Sequence, residues 1–91
     1  MDQEQLDQSL LFEVLENQLA DNHPKQVKET MLRLRMTGHS NEEALELMAC
    51  ALAPEMQAVI EQGQSFNLER YVQHLALLPE TPWLSDADLA G

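Results

Sequence analysis

Between Ser40 and Gly63 the chain reads SNEEALELMACALAPEMQAVIEQG, and Leu45, Met48, Ala49, Leu52, Met56, Val59 and Ile60 recur at three- and four-residue intervals. That spacing gathers the apolar side chains on one face of a long α-helix. Ser40 followed three residues later by Glu43 predicts a capping box at the start. Gly63 predicts a left-handed stop at the end. Pro54 sits inside, removes the N–H that would bond the Cys50 carbonyl and crowds that turn, at about 3 kcal/mol. The stripe continues in phase through Leu52, Met56 and Val59, so the sequence favours one long kinked helix over two short ones. Other helices are expected to pack against it.

Residues 3 to 20 form the first of these, with Leu6, Leu10, Leu11, Val14, Leu15 and Leu19 as a broad stripe and Phe12 at its margin. Asp2 and Glu4 suit the positive end of that helix. Asp21-Asn22-His23-Pro24 breaks the pattern, and Pro24 suits the first position of a second helix. The second helix is predicted from Pro24 to Thr37, with Val27, Met31 and Leu34 inward, Leu32 and Met36 flanking, and Gly38 as terminator. Asn67 caps a fourth helix from Leu68 to about Leu78, with Leu68, Tyr71, Val72, Leu75 and Leu78 inward and Pro79 as stop. Phe66 and Tyr71 occupy the two positions of a hydrophobic staple across that cap. These expectations give an all-α, compact four-helix bundle, mostly antiparallel, over residues 1–79, followed by an acidic tail over 80–91. In the tail, Trp83 and Leu84 either dock on the bundle or anchor a partner, since exposed Trp is enriched at binding hot spots.

Composition narrows the function classes. Only 4% of the residues are aromatic, so the core is built from Leu, Met, Val, Ile and Ala. The helical placement of Met31, Met48 and Met56 assigns methionine mainly to the core rather than to an adaptable binding face. The net charge of −11, from 16 acidic and 5 basic residues, repels phosphate backbones and anionic lipid, so direct nucleic-acid or membrane binding is not expected. It fits a basic protein partner, or an acidic mimic occupying a basic site on a nucleic-acid-binding protein. Four of the five bases, Lys25, Lys28, Arg33 and Arg35, fall on the second helix. They are read as a solvated face paired with acids on helices one and three, the sharper alternative being a surface that recognises carboxylates or other anions. Cys50 is the sole cysteine, which fits a reducing cytoplasm. The acidic start lacks the basic region of a secretory signal, and no apolar run approaches the ~20 residues of a membrane span.

Chemistry-bearing patterns are sparse. His23, His39 and His74 are far apart, and no Glu-x-x-His pair supports a dimetal bundle. His39-x-x-Glu42 offers two metal ligands, too few for a site by themselves. Cys50 and His74 would meet only if helices three and four pack side by side, and nothing near them marks an oxyanion hole. No phosphate-cradling glycine loop or GxSxG elbow occurs. No catalytic, cofactor or metal site is predicted.

Glu16-Asn17-Gln18, the run from Val27 to Leu34, Gly38, Ala44, and Phe66-Asn67, Arg70-Tyr71, Leu75 and Leu78-Pro79 together resemble a family of small uncharacterised bacterial helical domains, over roughly residues 14–79. Members of that family often carry two histidines four apart early in the first helix. The matching positions here are Gln8 and Phe12, so a metal site of that kind is not implied. The resemblance implies a bacterial cytoplasmic domain and no activity. The function expected is a non-enzymatic protein–protein interaction module, self-associating as a homodimer or binding another protein, with Trp83, Leu84, Lys25, Lys28, Arg33 and Arg35 as candidate contacts. The alternatives are the acidic mimic and a metal or small-ligand binder using His39, Glu42 or the basic helix.

Overall fold

A computed structural model of the chain describes residues 8–84. It contains α1 (Gln8–Asp21), α2 (Lys25–Met36), α3 (Asn41–Gln62) and α4 (Leu68–Leu77), and no strand among the described residues. The expected start of helix one, with Asp2, Glu4 and Leu6, lies outside those residues, as do Asp86 and Asp88 of the tail. α3 packs against each of the other three helices, and so does α2. α1 and α4 meet through long side chains: the Tyr71 hydroxyl donates to Gln18 Oε1 at 2.7 Å.

Local chemistry explains the boundaries. Ser40 Oγ accepts from the Glu43 N–H and Glu43 Oε1 accepts from the Ser40 N–H, each at 3.0 Å, so the capping box forms. Gly63 ends α3 at φ 67° and ψ 21°, in the left-handed region. The α2 terminator is Gly38, at φ 106°, with the His39 N–H on the Leu34 carbonyl and the Gly38 N–H on the Arg35 carbonyl. Asn22 does the same for α1 at φ 55°, where asparagine is tolerated. Pro24 is the extended residue before α2, at ψ 148°, rather than its first helical residue, so the helix begins one position later than expected.

The core comprises Leu11, Leu15, Val27, Met31, Leu34, Ala44, Leu45, Met48, Ala49, Ala51, Leu52, Tyr71, Leu75 and Leu78. α3 runs unbroken through Pro54, but its buried face does not stay in phase. Beyond Leu52 the buried positions are Glu55 and Ala58, while Met56 and Ile60 are half-buried and Val59 is exposed. Ala51, Glu55 and Ala58 form a row turned by about 100° from the Leu52–Met56–Val59 row. The reason is Glu55, whose carboxylate is drawn inward by partners from α4. The expected continuation through Val59 is therefore corrected. The wide stripe of α1 is covered: Phe12, Val14 and Leu19 pack partly buried against the core.

Candidate functional site

Polar side chains of α3, α4 and residues 80–84 converge on one side of the bundle. Glu55 is fully buried. Its Oε2 accepts from Arg70 Nε at 2.6 Å, and its Oε1 accepts from Arg70 Nη2 at 3.1 Å and from the Asn67 N–H at 3.2 Å. A two-toothed guanidinium and a backbone amide thus satisfy a carboxylate that burial alone would make costly. The hydrogen bonds and charge of Glu55 push the Arg70 pKa further up, so Arg70 stays a cation. Asn67 Oδ1 accepts from the Arg70 N–H at 3.0 Å and caps α4. Phe66 meets Tyr71 edge to face at 5.5 Å across that cap, the contact a staple requires.

Pro54 leaves the Cys50 carbonyl without its helical donor. Trp83 Nε1 supplies one, donating to that oxygen at 3.0 Å. The Trp83 ring also stacks on His74, with centroids 4.1 Å apart and planes 11° from parallel. The tail from Glu80 onward is thus not separate from the bundle at its start, because Trp83 packs against the core. Beside it lies an open cleft of about 540 Å³ between α3 and α4, lined by Pro54, Gln57, Gln62, Gln64, Arg70, His74 and Trp83 among others. His74 Nδ1 is buried there without a hydrogen-bond partner. Burial lowers the His74 pKa, with Arg70 adding to the effect and Glu55 opposing it, so the ring is neutral at pH 7. Burial, and secondarily Glu46, raises the Cys50 pKa, which keeps it a thiol.

The six candidate contacts separate. Trp83 is half-buried in the groove, and Leu84 beside it is exposed. Arg33 is turned to α4, where Nη1 donates to the Leu78 carbonyl at 2.7 Å and Nη2 to the Leu75 carbonyl at 2.9 Å. Among the described residues the Leu78 oxygen has no backbone donor, and the Leu75 oxygen, which also accepts from the Leu78 N–H at 3.3 Å, lacks its usual fourth-residue donor because residue 79 is proline. Lys25, Lys28 and Arg35 are exposed. Among the described residues none of the four bases pairs with a carboxylate; the ion pair there is Arg70–Glu55, and His39 approaches Glu43. The expected pairing of the basic face with acids on α1 and α3 is thus corrected. Periodicity shows which residues share a face, but not that the facing acids fall out of reach. His39 Nδ1 stands 3.8 Å from Glu43 rather than Glu42, and Glu43 already serves the cap. Among the described residues no group of three His, Cys, Asp or Glu side chains is placed to hold a metal ion. No described helix is long and apolar enough to cross a membrane.

Sequence reasoning left two features out of the site. Leu32 and Met36 were placed as flanking residues, yet they stand one turn apart on the outer ridge of α2, 53% and 84% exposed. Their signal is their position off the Val27–Met31–Leu34 stripe. Glu55 gave none, since acids are surface residues by default. Comparison with family models, with curated proteins and with solved structures gives no match.

Proposed function

We propose that this chain is a non-enzymatic protein–protein interaction module that works in the bacterial cytoplasm. The observation that carries this reading is the outer ridge of α2, where Met36 and Leu32 project into solvent among bases that have no acidic partner among the described residues. Exposed apolar side chains also occur at Val59, Phe66, Leu68, Leu77 and Leu84, but the two most exposed are Met36 and Leu32, neighbours on one ridge, and an exposed apolar pair rimmed by charge is the form a contact surface takes. In support, Glu55, Arg70, Asn67, Arg33, Gln18, Tyr71 and Trp83 are all engaged in joining helices. The resemblance of residues 14–79 to small bacterial helical domains fits the setting and contributes no activity. The experiment is site-specific photo-crosslinking from position 36 in the native cell, with position 69 on α4 as control. Discrete adducts from position 36 alone are expected. Equal, diffuse labelling from both positions would sink the proposal.

A second reading, a small-ligand binder, is favoured by the unpartnered His74 Nδ1 beside the α3–α4 cleft. It predicts that some small polar molecule raises the thermal midpoint of the native protein and fails to do so in His74→Phe. A screen without such a compound removes it.

A further inference from the structure

We infer that the outer ridge of α2 receives an acidic amphipathic helix of another protein, an apolar crest flanked by carboxylates. The inference rests on the interaction reading above and names the partner's chemistry. α2 holds Lys25, Lys28, Arg33 and Arg35 against one acid, Glu29, a charge of +3. The whole chain carries −11, so everything outside α2 sums to −14. Among the described residues this basic island is not spent internally. Arg33 alone is committed, to the α4 carbonyls, and Lys25, Lys28 and Arg35 reach no carboxylate among the described residues although the chain has 16 acids.

The layout is helical in period. Leu32 and Met36 form the crest with Lys25 beneath them. Lys28 and Arg35, two turns apart and so about 10 Å along the axis, form one flank. Glu29 borders the crest on its other side, about 20° around the axis from Met36, and offsets Lys25 one turn away rather than Lys28 and Arg35. A partner helix laid alongside would set carboxylates seven residues apart against Lys28 and Arg35 while its apolar crest covers Leu32 and Met36, a side-by-side helix pairing. A second copy docking symmetrically would bring Lys28 and Arg35 against themselves, which like-charge repulsion disfavours.

The net charge makes the test sharp, because it predicts the opposite sign. A protein at −11 repels an acidic peptide unless a local surface attracts it. The probes are a fluorescein-labelled helical peptide of about 18 residues, with a leucine crest flanked by Glu at seven-residue spacing, and its Gln-for-Glu counterpart. Fluorescence anisotropy with the full chain is expected to show the Glu peptide binding about tenfold tighter, from several modest ion pairs. Lys28→Glu with Arg35→Glu should invert that order, and Leu32→Ser with Met36→Ser should abolish both bindings. These exposed changes leave the helical circular-dichroism signal intact. A Glu peptide no tighter than the Gln peptide, or an order unchanged by the charge reversal, overturns the inference. Sedimentation equilibrium then separates the two levels. A concentration-dependent mass lost in the Leu32→Ser, Met36→Ser variant, without peptide binding, replaces the acidic partner with a second copy and leaves the interaction reading standing. A monomer that binds neither peptide overturns both.

Discussion

Replacing Trp83 by Phe keeps an aromatic ring against His74 and deletes one N–H. The Cys50 carbonyl then has no helical donor, because residue 54 is proline, and no indole donor either. An unmet buried acceptor costs about 1–3 kcal/mol. Cys50 is only half-buried, so water reaches the oxygen in part and the lower end applies, about 1–1.5 kcal/mol. At ~4–8 °C per kcal/mol for a domain of this size, the thermal midpoint falls by about 4–12 °C. The decisive measurement repeats the change in a Pro54→Ala background. Alanine at that position brings back an N–H for the Cys50 carbonyl, and the indole loses that task. Loss of ring area enters both backgrounds equally and cancels in the cycle. Trp83→Phe is therefore expected to cost at least about 0.7 kcal/mol less in the Pro54→Ala protein, read from urea denaturation by far-ultraviolet circular dichroism. Equal costs in the two backgrounds, within about 0.3 kcal/mol, would refute the claim that the tail tryptophan repairs the proline's damage.

Arg70→Met strands the fully buried Glu55 carboxylate. Because 42% of the Arg70 side chain is exposed, the expected loss is at the low end for a broken buried pair, about 3 kcal/mol, whereas Glu55→Leu combined with Arg70→Met recovers all but about 1 kcal/mol, the share of the Asn67 N–H left without its acceptor; denaturation of the three variants checks this. Arg33→Lys replaces a fork that holds two carbonyls with a single point donor, and costs about 1 kcal/mol in the same assay. His74 has a folded-state pKa below its ordinary 6.5, so the unfolded chain takes up that proton first. Its contribution is intact above about pH 6.5, is lost as pH falls towards the folded value, and then levels off. A protonated imidazole quenches a stacked indole, so the fluorescence of the sole tryptophan should drop with a midpoint below 6.5; a midpoint above it contradicts the burial of the ring.

Local signals carried much of the fold. The Ser40–Glu43 box, the Gly38 and Gly63 stops and the Asn67 cap with its Phe66–Tyr71 staple depend on neighbours in sequence, and all are present. The orphaned Cys50 carbonyl was also legible, since proline's missing N–H is a covalent fact. Its donor was not, because Trp83 is 33 residues away and reaches it only once α3 and α4 are packed. The turn of the α3 face after Leu52 was hidden for the same reason. Hydropathy places Val59 inside and Glu55 outside, and only the position of Arg70 on the neighbouring helix reverses that order. The basic residues of α2 were legible as a group, but that Arg33 reaches the α4 carbonyls, while the other three meet no carboxylate among the described residues, depends on where α4 ends.

The docking of Trp83 bears on how this protein is handled. A chain trimmed after Pro79 keeps all four helices and looks whole on a helix count, yet it would open a wet seam at the proline of its longest helix.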